Sequence, residues 1–354
     1  MSKRIIALLL ALVMVFALCA CGNGGNGGNS AGSEDVGDET YTIRIACENS
    51  DSYPATLGLY QMEKYVESHT NGKVQVEVCA SGQLGGEEET LEQVAQGNLE
   101  MAVASFAPVV SYVPEFEVMD IPFVYNSYTE AWMVLDSYVG TNLLDKMEAQ
   151  GLKGMAYMEN GMRQVTSNVS AINSIDDFKG VKLRTMQNNN HMESFSALGA
   201  NPTPVAFSEL YISLSQKVVD AQENPIANVT DKKLYEVQKY LSLTNHIYDA
   251  MPLVCNLEFF NSLPQAYQKV VQAGAIYAQE FSRFCNLERE DLILADLADK
   301  YGMQINEVSA DARAEMAKVA QPAVIKLVAK DIGQDAVDQY MNDVKDVLAQ
   351  ISKF

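Results

Sequence analysis

Alternating and helical hydrophobic periods succeed one another along this chain from about residue 41. Tyr41–Cys47 (YTIRIAC) alternates apolar with polar residues and is rich in β-branched side chains, which predicts a strand. From Tyr53 to His69 the apolar positions Leu59, Met62 and Val66 share one helical face, and Asn71-Gly72 supplies a left-handed stop. Val74, Val76 and Val78 alternate again. Gly85-Gly86 then opens a helix with Glu87, Glu88 and Glu89 in its first turn, where carboxylates suit the positive end of the helix dipole. Leu91, Val94 and Ala95 give that helix an apolar face, Gly97 ends it, and Leu99–Ala104 reads as another strand. This β-α-β-α-β order predicts an α/β domain with a largely parallel sheet.

The same logic continues. Gly154–Met158 and Met162–Thr166 read as two strands, and Val181–Thr185 as a third after the Lys179-Gly180 turn. Asn188–Leu198 and Phe207–Gln216 have helical spacing, Val218–Gln222 is a short strand leading into Glu223-Asn224-Pro225, and Leu253–Phe259 is apolar enough for a buried strand. Ala266 to Tyr301 keeps helical spacing far beyond the mean helix length of about 11–12 residues, long enough to bridge two domains. A strand near Gln304–Val308 and two helices close the pattern. A length of 354 residues agrees with about two domains.

The N-terminus is different in kind. Lys3 and Arg4 precede an apolar run from Ile5 to Leu18, which is short for a membrane span of about 20 residues and reads as an export signal. Leu18-Cys19-Ala20-Cys21 resembles a bacterial lipobox, so residues 1–20 are expected to be a lipoprotein signal peptide and Cys21 the lipidated first residue of the mature chain. The Gly/Asn/Ser run that follows cannot bury a core and predicts a flexible tether over residues 21–40. The balance of 25 Lys+Arg against 46 Asp+Glu, a net charge of −21, argues against sequence-independent nucleic-acid binding.

Signatures of catalytic or metal chemistry are mostly absent from the sequence. His69, His191 and His246 sit in no metal-ligand motif, and there is no GxSxG elbow, P-loop or GxGxxG after a strand. Beyond Cys19 and Cys21, Cys47, Cys79, Cys255 and Cys285 lack zinc-site spacing. A Cys47–Cys79 disulfide is open to the sequence, although buried free thiols are the simpler expectation. No enzyme, metal site or cofactor is therefore expected. What stands out is scarce positive charge at strand ends: Arg163 in Asn160-Gly161-Met162-Arg163-Gln164, and Arg184 ending VKLRT. Ligands of open α/β sheets bind at strand termini, and arginine presents a planar fork that fits a carboxylate. Either arginine could equally pair with a surface acid, and composition alone leaves both readings open.

Several runs bear on that choice. They are QLGGEEETLEQVAQGNLEMAVAS (Gln83–Ser105), DIPFVYNS (Asp120–Ser127), NGMRQVTSN (Asn160–Asn168) and DDFKGVKLRT (Asp176–Thr185), then PTPVAFSELYISLSQKVVDAQENP (Pro202–Pro225) and YEVQKYLSLTNHIY (Tyr235–Tyr248). Together, and in this order, they resemble the DctP-type solute-binding proteins of TRAP transporters (solute-binding protein family 7), from about Tyr41 to the C-terminal helices. The resemblance implies a two-lobe, periplasmic-binding-protein-like α/β fold of type II character with a long helix spanning both lobes. Lobe I would take residues 41–160 plus 250–289, and lobe II residues 161–249 plus 290–354.

By the same resemblance Arg184 would salt-bridge a ligand carboxylate. Arg163 would make a second carboxylate or hydroxyl contact, Asn224 would complete carboxylate recognition, and Phe207 would line the cleft. The sialic-acid-binding members carry Asn where this chain has Glu48 and Glu where it has Ser105, so sialic acid is a poor fit, while a carboxylate at Glu48 could accept from ligand hydroxyls. Glu87 and Gln187 are further lining candidates. A sugar acid such as a hexuronate, or a dicarboxylate, is the expected ligand. The implied partners are the small and large membrane subunits of a TRAP system driven by an ion gradient, with a monomer touching the membrane only through its lipid. Rival readings are a receptor that presents ligand to a sensor kinase and an ABC-type solute-binding protein.

Overall fold

The computed structural model describes residues 39–350; the expected signal peptide, Cys21 and nearly all of the tether lie outside the described residues. The chain opens as β1 (Tyr41–Ala46), α1 (Pro54–His69), β2 (Val74–Cys79), α2 (Glu87–Ala95), β3 (Met101–Val103) and α3 (Phe106–Val109). Helices α4 (Tyr128–Leu135) and α5 (Tyr138–Lys146) lead into β4 (Leu152–Ser167). The second lobe brings β5 (Lys182–Thr185), α6 (Asn189–Ala197), β6 (Asn201–Pro204), α7 (Leu210–Ser215), β7 (Ala221–Pro225), α8 (Ile226–Asp231) and β8 (Tyr240–Leu243). Then follow β9 (Tyr248–Asn256), α9 (Leu257–Ser262), α10 (Gln265–Asp299), β10 (Gln304–Glu307), α11 (Ala310–Ile332) and α12 (Gln334–Leu348). Among the described residues no helix is long and apolar enough to cross a membrane.

The strands run in the order β2-β1-β3-β9-β4-β7-β5-β6, with β8 pairing β4 and β10 pairing β8. The outer ladders, β1 with β2 and β3, and β5 with β6 and β7, are parallel. The middle is not: β9 is antiparallel to β3 and β4, and β4 is antiparallel to β7 and β8. The expectation of a largely parallel sheet holds only for the outer strands of each lobe.

Strand β4 explains the difference. Gly154–Met158 and Met162–Thr166 read as two strands, but one 16-residue strand runs through both and through Asn160-Gly161 between them. Its first part pairs with β9 as far as Met162↔Tyr248; from Arg163 it pairs with β7. A register shift falls between Glu159 and Gly161, and Gly161 takes φ 127°, so the left-handed residue serves as the bulge at which the strand passes from one lobe's sheet to the other's. A Cβ there would lie 3.2 Å from Pro225 Cβ and 3.3 Å from the Tyr128 hydroxyl. Gly161→Ala is therefore expected to destabilise the protein by about 1–3 kcal/mol, a strained left-handed residue's usual cost, read by urea unfolding. No loss of stability would show that the bulge relaxes freely.

Strand β9 starts earlier than its apolar run suggests, at Tyr248, because Asp249 and Pro252 break the hydrophobic pattern of a strand that is buried throughout. Helix α10 spans 35 residues. Its first half lies on α1 so closely that a Cβ on Gly58 would come within 2.5 Å of the Ala278 carbonyl oxygen. Its far end puts Leu297 into the second lobe's core beside Leu210, Val229 and Leu241. The C-terminal segment is shared rather than assigned wholly to lobe II. Met316 and Ala320 of α11 pack in the second lobe, whereas Val337, Tyr340, Val344 and Val347 of α12 pack with Val134 and Leu143 of the first. Burial of that apolar stripe on α4 and α5 outweighs sequence proximity.

Candidate functional site

The carboxyl ends of the parallel strands converge on one cleft. Glu48 follows β1, Ser105 follows β3, and Arg184 and Asn224 stand near the ends of β5 and β7, which is where open α/β sheets collect ligands. The cleft has a volume of about 260 Å³. Glu48, Asn49, Glu87 and Ser105 form one wall. Arg184, Gln187, Phe207, Asn224 and Asn228 form the other. The walls touch: Asn49 Nδ2 donates to Asn228 Oδ1 at 3.0 Å, Gln187 Nε2 to Glu88 Oε2 at 3.3 Å, and Lys232 Nζ to the Glu48 carbonyl at 3.3 Å. The lobes thus stand closed on one another.

Arg184 is the unusual residue. It is 1% exposed, its Nε donates to the Val205 carbonyl at 2.9 Å, and among the described residues its Nη1 has no hydrogen-bond partner. No carboxylate lies within salt-bridge distance of it among the described residues. Burial pushes its pKa down to about 10, with Glu223 opposing and Arg163 adding to the shift, so it stays charged at neutral pH. An unpaired buried charge is costly, and a charged donor without an acceptor on a cleft wall is built to receive an anion.

Arg163 is placed differently from the expectation. It is wholly buried and does not line the cleft. Its Nη1 donates to Asp249 Oδ2 at 2.7 Å, its Nε to Glu223 Oε2, and its Nη2 to Glu223 Oε1 at 2.8 Å and Asn224 Oδ1 at 3.3 Å. The guanidinium is occupied by internal acids and acts behind Asn224, whose Nδ2 is fixed on Gln222 Oε1 at 2.6 Å. Glu223 also receives His246 Nε2 at 3.1 Å and lies 3.7 Å from His191 Nδ1, while His191 Nε2 reaches Asp120 at 3.2 Å. Burial alone would raise Glu223; Arg163, His191 and His246 overcome it and hold the carboxyl well below the usual range. Burial likewise opposes charge on His191, but Asp120 and Glu223 carry it up to about 9.

The opposite wall is acidic. Glu87 Oε1 accepts from Ser105 N at 3.0 Å and Ser105 Oγ at 2.8 Å, so the Ser105 hydroxyl is turned onto Glu87. Burial, then the charge of Glu48, pushes Glu87 up to about 7. Phe207 is half-buried and carries the Lys232 ammonium 4.5 Å from its ring centre. Gln187 is exposed and bridges to Glu88. Sequence reasoning missed Asn49, Asn160, Asn228 and Lys232, which join the walls, and the Glu223 network. Cys47, Cys79, Cys255 and Cys285 are buried free thiols, so the Cys47–Cys79 disulfide does not form; the Cys47 Sγ lies 3.4 Å from Thr56 Oγ1. Among the described residues no group of His, Cys, Asp or Glu is arranged to hold a metal ion.

The buried acids give stability a sign with pH. Burial raises Glu87 to about 7, Glu117 to about 7 with help from Asp331, and Glu159 to about 8 against Trp132 and Arg283. The folded protein therefore keeps protons that the unfolded chain, titrating near 4.5, has released; His191, raised from 6.5 to about 9, acts in the same direction. Stability is full below the unfolded values and is lost as pH rises through the folded ones. The melting temperature of the ligand-free protein is expected to fall between about pH 6.5 and 8.5, and a rise over that window would contradict these environments.

The family model described as bacterial extracellular solute-binding protein, family 7 (DctP) matches residues 45–331. The C4-dicarboxylate-binding periplasmic protein DctP of Rhodobacter capsulatus is 31% identical over 302 residues, 84% of this chain and 90% of that protein. The crystal structure of the sugar acid binding protein DctPAm of Advenella mimigardefordensis, in complex with galactonate, matches at 32% identity with a TM-score of 0.83, covering 87% of this chain and 99% of that one. A TRAP periplasmic solute-binding protein of Sulfurospirillum deleyianum with bound succinate matches at 31% identity and a TM-score of 0.80, covering 85% and 98%. Two lobes closed on a cleft with an unpaired arginine, and a match across nearly the whole described chain, have one reading: this chain belongs to solute-binding protein family 7, the extracytoplasmic, organic-acid-binding DctP-type components of TRAP transporters.

Proposed function

We propose that this protein captures an organic acid by pairing the ligand's carboxylate with Arg184, and delivers it to the small and large membrane subunits of a TRAP system for import driven by an ion gradient. One observation carries the reading: Arg184 is buried on the cleft wall with Nη1 unpartnered. A carboxylate there satisfies the guanidinium bidentately. Asn224, oriented by Arg163 and Gln222, stands beside it, and Phe207 closes the side. Arg163 acts as a positioning residue through Asn224. Ligand that touches both walls favours the closed arrangement by its differential affinity, and exclusion of water strengthens the ionic contact. Lipidation at Cys21 would hold a monomer at the membrane by its N-terminus.

The galactonate and succinate complexes of the relatives support an acid ligand without choosing its class. A thermal-shift screen of the purified protein against aldonates, hexuronates, C4-dicarboxylates and 2-oxo acids tests the reading. A ligand at about 100 times its Kd adds roughly 2.7 kcal/mol of stability, a visible shift. At least one acid class is expected to raise the melting temperature. Stabilisation by neutral sugars or cations alone would refute the carboxylate role of Arg184.

A further inference from the structure

The wall opposite Arg184 holds an unpartnered group of the other sign. Glu48 is 7% exposed and lines the cleft. Its Oε2 accepts from the Glu87 backbone N–H at 3.2 Å, at the start of α2, but among the described residues its Oε1 has no partner. The two orphaned polar groups of the cleft are thus a donor cation on the second lobe and an acceptor anion on the first. Resting on the carboxylate reading above, we infer that Glu48 is a specificity residue that selects monoanionic acids bearing a hydroxyl donor at the end remote from the carboxylate, and that it rejects a second carboxylate there.

Among the described residues no cation lines this wall to face a second carboxylate. Glu87 lies against Glu48 with both its oxygens on Ser105, and Glu88 and Glu89 complete the rim. The nearby cation, Lys232, is held on the Glu48 backbone carbonyl and over the Phe207 ring and does not line the cleft. Two of these carboxylates already crowd one another: burial and Glu48 raise Glu87, and burial raises Glu48 against Lys232. A further carboxylate among them would have to take up a proton or displace one of them. A hydroxyl instead gives Glu48 Oε1 a charge-assisted hydrogen bond, and Asn49, whose Nδ2 spends one N–H on Asn228, keeps a second N–H for a neighbouring hydroxyl. A site built to hydrogen-bond a hydroxyl discriminates strongly, because an analogue without it leaves the buried acceptor unpaired.

The test pair is galactonate and galactarate, which differ only in a terminal hydroxymethyl group against a carboxylate. Calorimetric titration of the purified protein is expected to give galactonate at least about 100-fold tighter than galactarate, with succinate and glutamate also weaker than galactonate. In Glu48→Gln the amide oxygen keeps the Glu87 N–H, so its NH2 takes the place of Oε1 and offers a donor where there was an acceptor. The galactonate preference is then expected to shrink by at least about tenfold. A ratio changed by less than about threefold overturns the assignment of Glu48. Galactarate, succinate or glutamate binding as tightly as galactonate to the unmodified protein overturns the inference outright, and that comparison decides the matter if the variant fails to fold. Arg184→Ala separates the two readings. If it abolishes binding of a preferred diacid, the carboxylate reading stands and the inference falls; if no acid binds the unmodified protein, both fall.

Discussion

Arg184→Ala is expected to abolish acid binding and to leave the ligand-free protein at least as stable as its parent. Truncating one partner of a buried, hydrogen-bonded charge pair costs about 2–5 kcal/mol in binding, on the order of 30- to several-thousand-fold in Kd. Arg184 contributes no ion pair to the ligand-free fold, and its Nη1 is unsatisfied. What the folded state loses is one hydrogen bond to Val205 and some packing; what it sheds is the desolvation of an uncompensated charge. Calorimetry and urea unfolding on the same variant read the two halves. Arg184→Lys is expected to bind weakly as well, because an ammonium cannot make two parallel hydrogen bonds to a carboxylate. Near-unchanged affinity in Arg184→Ala, or a collapse of the ligand-free fold, would each contradict the role given to this residue.

Glu223→Ala has the opposite signature. Its carboxylate holds Arg163, His246 and the charge of His191 in a space fully closed to water. Deleting it leaves Arg163 with Asp249 and His191 with Asp120 as their remaining acidic partners among the described residues. Breaking a buried pair by removing one partner typically costs about 3–5 kcal/mol, and that loss of folding stability is expected here by urea unfolding. A loss below about 1 kcal/mol would show that the network is not what fixes Arg163 behind Asn224. The two variants remove groups from one small region of β5 and β7, yet only one damages the fold, because only one of them is already paired.

How far the sequence disclosed this depends on the residue. Arg184 was legible from its place at the end of VKLRT and from the order of the motifs around it, since a strand end and a planar cation are both sequence properties. Its isolation was not, because whether a guanidinium meets an acid depends on side chains distant in sequence. Arg163 shows this directly: it sits in an equally suggestive run, but Glu223, 60 residues away, and Asp249, 86 residues away, occupy it. With 46 carboxylates in the chain, nothing local marks those two. The α/β alternation of each lobe followed from periodicity. The antiparallel centre did not, because Asn160-Gly161 carries an ordinary turn signature and the structure uses it as a bulge inside one strand. Helix α12 returned to the first lobe by the burial of Val337, Tyr340, Val344 and Val347, a choice of partner that helical spacing cannot express. Glu48 could be suspected from its position after β1, but its unpartnered oxygen, which gives it a role, exists only in three dimensions.

The pairing of a ligand carboxylate with Arg184 is read most directly from a crystal structure of the protein with the tightest acid from the screen. The ligand carboxylate is expected against Arg184, with two nitrogen–oxygen distances of about 2.7–2.9 Å and one of them to Nη1. A bound acid whose carboxylate lies elsewhere in the cleft, with Arg184 still bonded only to the Val205 carbonyl, would contradict it.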